Sequence, residues 1–292
     1  MGVIRERLSL EKRKILSAIA PTYETKRIYR YNFGRECNLE NPVTINEKLQ
    51  YLKLHDYYKN DTVTMCVDKY RIREFLAGKK LEHLCPKLYG VYDSIVKIDW
   101  EVLPDSFVIK CNHGCGYNIL CPDKSRLDIK ESVRLLKQWM KEDYWKEFAE
   151  VQYRYVKKKI IAEEYLGDEL RTYKFYCFNG VPKVLYVSEN GENGEKDKYL
   201  NYYSMDWEML PYCLSGHVRK TLPHPKPEHM DELVRYAEIL SRDFPFVRVD
   251  LYDVNGKVYI SELTFIPTGG FMHLTPEGTD IEWGNWLDLK QK

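Results

Sequence analysis

Apolar residues recur along this chain with two periods, one near 3.6 and one of 2, and the alternation between them marks out its elements. Over residues 3–20, Ile4, Leu8, Ile15 and Ile19 share one helical face while Arg5, Lys12, Arg13 and Lys14 stand elsewhere, and Pro21 ends the run. Thr44 followed by Glu47 has the form of a capping box and opens a helix to about Tyr58. A further helix is expected from Asp61 or Thr62 to Gly78, with Asp68 and Lys69 on its solvated face. After Pro86 the pattern shortens, and Leu88–Tyr92, Phe107–Lys110 and Asn118–Cys121 read as strands. Ser132 to Glu150 is helical again. Ile160–Glu163 is an apolar strand that runs into paired acids and a Gly-containing connector. A second strand then leads to the Asn179-Gly180 turn and a partner strand at Lys183–Val187. Pro227 to Phe244 is the last expected helix. The fold class is α/β.

The most informative stretch is Val247–Thr264, two strands rich in β-branched and aromatic residues around an Asn255-Gly256 turn. Arg248, Asp250 and Glu262 lie within them, where a charge is costly without a partner. Register decides whether they meet. A two-residue Asn255-Gly256 loop would pair Asp250 with Ser261 and turn Glu262 to the opposite face. A three-residue loop, Val254 to Gly256, pairs Arg248 with Glu262 and gathers all three charges on one face, and this is the register we expect. On this stretch alone, a surface hairpin with a salt bridge fits as well.

Composition bounds the rest. The chain has 292 residues, 44% apolar, with 45 basic and 44 acidic side chains, so it can bury a core in one domain or two lobes. A net charge of +1 argues against a nucleic-acid partner, which needs a concentrated basic face. No signal-peptide pattern and no apolar run of membrane-spanning length is seen, and Glu6 breaks the myristoylation pattern that Gly2 would begin. The eight cysteines lack paired spacing and read as reduced thiols in a cytoplasmic chain. The basic amphipathic stretch 3–20 could lie on a membrane surface, or dock on its own domain or a partner.

Between two expected strands lies Lys110-Cys111-Asn112-His113-Gly114-Cys115-Gly116-Tyr117-Asn118. A strand delivering a lysine into a Gly-bearing turn can cradle phosphate, because glycine lets backbone N–H groups converge on an anion. Cys111, His113, Cys115 and Cys121 are alternative metal ligands, but their spacing matches no zinc pattern. The polar stretch 189–198 is a long loop, a lid or an idle hairpin tip. Pro267-Thr268-Gly269-Gly270 can bring flexible backbone close to a ligand. Tyr202, Tyr203 and Trp207 could stack on a sugar or serve as core aromatics.

Taken in order over roughly residues 43–275, these blocks resemble the ATP-grasp superfamily, and among its members the TupA-like proteins found with bacterial surface-polysaccharide genes. The resemblance implies an ATP-grasp fold, two α+β lobes sandwiching ATP, with a helical N-terminal region at 1–80 and lobes at 81–166 and 167–292. It implies that Lys69 and Lys110 bind phosphate, and that His113, Gly114, Cys115 and Gly116 form the glycine loop. Glu163-Glu164-Tyr165-Leu166 would be the adenine-binding hinge, with Glu169 on the ribose and Lys174 a further phosphate-side lysine. Arg248, Asp250 and Glu262 fall on the family's arginine and its two Mg²⁺-binding acids. Many relatives carry Asn two residues after the second acid; here Thr264 stands there, a weaker oxygen ligand.

By the same resemblance the cofactors are ATP and Mg²⁺, and the reaction joins a carboxylate to an amine through an acyl phosphate. Three lysines, Arg248 and Mg²⁺ would offset the triphosphate charge, and such chemistry requires positioning and charge neutralisation rather than a serine or cysteine nucleophile. The association with polysaccharide genes points to a sugar acid as carboxylate. Two other readings remain open at this level, a kinase on the same fold and a nucleotide-binding accessory to a glycosyltransferase.

Overall fold

The computed structural model describes residues 2–167, 170–189 and 198–290. Five helices come first: α1 (Gly2–Ile19), α2 (Pro21–Phe33), α3 (Ile45–Leu54), α4 (Asp61–Val67) and α5 (Ile72–Gly78). Then follow β1 (Leu88–Tyr92), β2 (Phe107–Cys111), β3 (Asn118–Cys121), α6 (Ile129–Lys141) and β4 (Ile160–Glu163). The remainder is β5 (Thr172–Phe178), β6 (Val181–Glu189), β7 (Tyr199–Tyr203), β8 (Met209–Leu210), β9 (Cys213–Leu214) and α7 (Met230–Ser241). The chain closes with β10 (Phe246–Val254), β11 (Lys257–Thr264), β12 (Leu274–Thr275) and α8 (Thr279–Trp286). Two compact units result: Met1–Thr25 with Tyr57–Glu169, and Lys26–Asp56 with Leu170–Lys292.

The first unit is built on an antiparallel sheet of order β1-β4-β2-β3. Period-two alternation sorts its side chains. Phe107, Ile109 and Cys111 of β2, with Ile160 and Ala162 of β4, pack on Leu136 of α6 and form the core. Lys110 and Glu163 therefore emerge together on the other face. The helix expected over 61–78 is broken: Asp68 is extended (φ −77°, ψ 110°) and separates α4 from α5. Its Oδ1 accepts from the N–H of Tyr70 (2.8 Å), the N–H of Arg71 (3.2 Å) and Asn112 Nδ2 (2.8 Å), which replaces the helical bonds lost there. Asp68 and Lys69 are thus drawn out of a helix and against the Gly-bearing turn. In α1, Ile15 and Ile19 at its C-terminal end are 58% and 74% exposed, whereas Ser17 is fully buried.

The second unit carries an antiparallel sheet of order β11-β10-β5-β6-β7-β8. Leu233, Ala237 and Leu240 of α7 are fully buried, and Cys177 Sγ of β5 reaches the Ala237 carbonyl across that face. On the opposite face Tyr176 and Tyr202 meet Trp283 of α8, with ring centroids 4.9 and 5.9 Å apart. The expected Thr44–Glu47 capping box is present at the start of α3, although that helix ends at Leu54 rather than near Tyr58. From α3, Asn46 and Gln50 reach the turn after the hairpin: Asn46 Nδ2 donates to the Met272 carbonyl (2.8 Å) and Gln50 Nε2 to that of Gly270 (2.7 Å). Gly284 of α8 leaves room for the Val43 carbonyl, which a Cβ would meet at 2.1 Å. Backbone cannot yield as a side-chain tip does. Gly284→Ala is therefore expected to lower stability by about 2–3 kcal/mol in denaturant unfolding; an unchanged midpoint would remove this contact from the account.

The hairpin turn is a correction. Val254 pairs with Lys257, so the loop has two residues, with Asn255 (φ 51°) and Gly256 (φ 76°) both left-handed as a type I′ turn requires. The three-residue loop and the Arg248–Glu262 pairing expected from sequence do not form. A β-bulge restores the common face instead: Leu251 pairs with Ile260 but Asp250 with Glu262, leaving Ser261 as the extra residue. Ser261 Oγ holds the Tyr252 hydroxyl at 2.9 Å.

Candidate active site

In the second unit, the bulge places Glu262, Asp250, Lys174 and Tyr186 in one row across four strands, and Thr264, Arg248 and Tyr176 in the next. Arg248 lies at the centre. Its Nε and Nη2 donate to the two oxygens of Asp250 at 2.7 and 2.6 Å, a bidentate pair, and Nη2 also reaches Glu262 Oε1 at 3.1 Å and Thr264 Oγ1 at 3.0 Å. Thr264 in turn donates to Glu262 Oε1 at 3.0 Å. Lys174 Nζ stands 4.0 Å from Asp250 and 5.4 Å from the centre of the Tyr186 ring. Sequence reasoning missed Tyr186, which Arg248 also faces at 6.0 Å; only its strand alternation with Val184 hinted at this face.

Burial sets the electrostatics. Asp250 is fully enclosed, and burial pushes its carboxyl above the ordinary aspartate range against the opposing pull of Arg248 and Lys174, with Glu262 adding to the rise. Burial alone would lower Arg248 and Lys174, but Asp250 and Tyr186 together hold both above their ordinary values. Two carboxylates of like charge face each other across β10 and β11, one of them desolvated, and with the Thr264 hydroxyl they make the metal-ligating groups here all oxygens. That donor set fits Mg²⁺, which takes one or two carboxylates plus phosphate oxygens. Among the described residues no cluster of three or more His, Cys, Asp or Glu could hold a metal. All eight cysteines are free thiols, and the zinc alternative finds no such cluster.

The first unit gathers a second set. Lys69 Nζ donates to the Gly114 carbonyl at 2.7 Å, and Lys110 Nζ to Glu163 Oε2 at 2.8 Å. Arg73, which the sequence did not single out, holds the other oxygen of Glu163 at 2.7 Å. Asn112 was missed as well, although it organises the turn. Its amide donates to Asp68 (2.8 Å) and the Lys157 carbonyl (3.0 Å), and its Oδ1 accepts from the N–H of Lys159 (2.7 Å). A Cβ on Gly114 would lie 2.6 Å from the Tyr117 ring, and Gly116 has φ 76°, so both positions require glycine. His113 lies in the same turn. It is buried, its Nε2 lies 3.1 Å from the Trp139 carbonyl, and burial lowers its pKa, so it anchors the turn to the end of α6.

Glu164 closes onto Lys87, its N–H donating to the Lys87 carbonyl (2.8 Å) and its Oε2 accepting from the Lys87 N–H (3.1 Å). Leu166 follows, half-buried. Glu169 and the loop residues 190–197 lie outside the described residues. Tyr203 and Trp207 stack on each other, centroids 4.3 Å apart, and bind His224; Tyr202 and Tyr203 are fully buried core aromatics, while Trp207 is half-buried.

Burial would raise Glu163, but Lys110 and Arg73 overcome it and hold its carboxyl below the ordinary range. The stability this contributes is present above the unfolded glutamate value of about 4.3 and is lost as pH falls through the lower folded value. Because both cations keep some solvent contact, Glu163→Gln is expected to cost about 1–3 kcal/mol at neutral pH. The gap between variant and parent should narrow in acid; thermal melts showing an equal gap at both pH values would contradict the assignment.

The sequence matches ATP-grasp proteins. Within them, the chain belongs to the TupA-like ATP-grasp family, whose sequence model matches residues 47–288. No curated protein matches it. Among solved structures it is similar to an L-amino acid ligase from Bacillus licheniformis, with 16% identity and a TM-score of 0.49 over 77% of this chain and 49% of that one. It is similar also to a D-alanine–D-alanine ligase from Bacillus anthracis complexed with ATP, with 13% identity and a TM-score of 0.42 over 69% and 55%. The chain thus spans about half the length of these two proteins. No described helix is long and apolar enough to cross a membrane.

Proposed function

We propose that this protein is an ATP-dependent carboxylate–amine ligase acting in the cytoplasm on a sugar acid in bacterial surface-polysaccharide biosynthesis. The observation that carries the reading is Arg248, buried and bidentate on Asp250 with Glu262 and Thr264 in reach, inside a chain of the TupA-like ATP-grasp family. In the reaction a substrate carboxylate oxygen attacks the γ-phosphorus of ATP, ADP leaves, and an acyl phosphate forms. An amine then adds to the acyl carbon and expels inorganic phosphate, giving the amide. Lys69, Lys110 and Lys174 bind phosphate oxygens, and the turn at Gly114 and Gly116 offers backbone donors to them. Glu163, Glu164 and Leu166 contact the adenine side, and Glu169 the ribose. Arg248 holds the transferred phosphoryl group and stabilises the oxyanion that develops at the acyl carbon. Asp250 and Glu262, with Thr264 as a weaker oxygen, would hold Mg²⁺, which supplies charge neutralisation on the phosphates when bound.

Hydroxylamine trapping separates this reaction from phosphorylation of a hydroxyl. With ATP and an acid that drives ADP release, the ligase gives a hydroxamate of that acid. ADP release without hydroxamate, and with phosphate found on a substrate hydroxyl, would make it a kinase.

A further inference from the structure

The C-terminal part of the apolar stripe of α1 is exposed where periodicity would have it covered. Ile15 and Ile19 are 58% and 74% exposed. Ile15, Ala18 and Ile19 form one wall of an open cleft of about 810 Å³. Across it, Arg134, Lys137, Gln138 and Lys141 project from α6 at i, i+3, i+4 and i+7, so they form a single polar stripe that is mostly basic. The two helix faces stand opposite one another without filling the space between them.

The charge of the cleft is not balanced internally. Its acids are already engaged: Glu11 lies 3.6 Å from Lys14, Asp143 bridges Lys146 (2.7 Å) and Lys158 (2.9 Å), and Glu142 accepts from Tyr117 (2.6 Å) and Gln138 (2.9 Å). Arg134 is held by Glu131 at 2.6 Å. Among the described residues, Lys137 and Lys141 meet no carboxylate. An apolar wall facing uncompensated lysines suits an anionic amphiphile, with its charge on the lysine side and its hydrocarbon on the isoleucine side.

We propose that the α1–α6 face docks on the surface of an anionic lipid bilayer. Lipid is fluid, so a headgroup phosphate can enter the cleft between Lys137, Lys141 and Lys14 while Ile15 and Ile19 meet the acyl boundary. Several clustered lysines attract an anionic surface strongly enough to hold a peripheral protein reversibly, and salt screens the attraction. The inference stands apart from the ligase reading, since it uses none of that site's residues.

The test is co-sedimentation of the full chain with phosphatidylcholine vesicles and with vesicles containing about 30% phosphatidylglycerol, at low and high salt. Binding to the anionic vesicles alone, weakened at high salt, is expected. Lys137→Glu with Lys141→Glu should weaken it about tenfold or more, and Ile15→Glu with Ile19→Glu should do the same. All four positions are exposed, so unchanged circular dichroism and melting should confirm folded variants. No binding to anionic vesicles at low salt, or binding that either pair of substitutions leaves unchanged, would overturn the proposal. Self-association in light scattering that is lost in the isoleucine variant, without vesicle binding, would overturn it too and assign the face to a second copy of the chain.

Discussion

Arg248→Met should leave the second unit markedly unstable, by about 3 kcal/mol or more in urea unfolding, because it strands Asp250 as a buried carboxylate. The Asp250 side chain is 1% exposed, and both its oxygens depend on Arg248; Lys174 remains only at 4.0 Å. Pairing the change with Asp250→Leu should recover most of the loss, since replacing both members of a buried ion pair by apolar groups of similar size is often neutral. ATP turnover should be absent in the single and the double variant. Recovery of stability without activity would show that the pair is kept for chemistry. A single variant as stable as the parent would mean that solvent reaches Asp250 far more freely than its enclosure indicates.

Glu262→Gln should instead spare the fold and abolish turnover. The Glu262 side chain is 29% exposed, and the amide can still accept from Arg248 and Thr264, so stability should change little. Its anionic charge is lost, however, and removing one positioned charge from a phosphoryl-transfer site costs on the order of a hundredfold or more in rate. Lys110→Ala should be comparably inactive, with an added loss of nucleotide affinity. Near-normal ADP release by folded Glu262→Gln would remove that residue from the site. A second readout is independent of activity: Mg²⁺ should stabilise the ATP-bound parent against heat more than it stabilises ATP-bound Glu262→Gln.

Much of this was legible in the order of residues. The strands at 88–92, 107–110 and 118–121, the Thr44–Glu47 cap and the charged hairpin all follow from local rules of period and capping. What was not legible depends on contacts distant in sequence. Nothing near Asp68 announces the helix break, because the bond that helps hold it comes from Asn112, forty-four residues on. Arg73 lay inside a predicted helix and gave no sign that it reaches Glu163, ninety residues away.

The hairpin shows a subtler limit. Asn255-Gly256 correctly signals a two-residue turn, and the cost of burying three lone charges correctly signals that they share a face. Alternation alone makes these two requirements incompatible, and only a bulge at Ser261 reconciles them. Tyr202 and Tyr203 are a smaller case of the same parity rule. Adjacent on β7, they point to opposite faces, so they could not have formed one stacking surface.

The central claim is that the Arg248 site activates a carboxylate for attack by an amine. The most direct measurement is ADP release over a panel of sugar acids crossed with amines, with the product identified by mass. The account predicts a product equal in mass to the acid plus the amine less one water, formed in step with ADP. A product heavier than its acceptor by one phosphoryl group, with the amine unused, would contradict it.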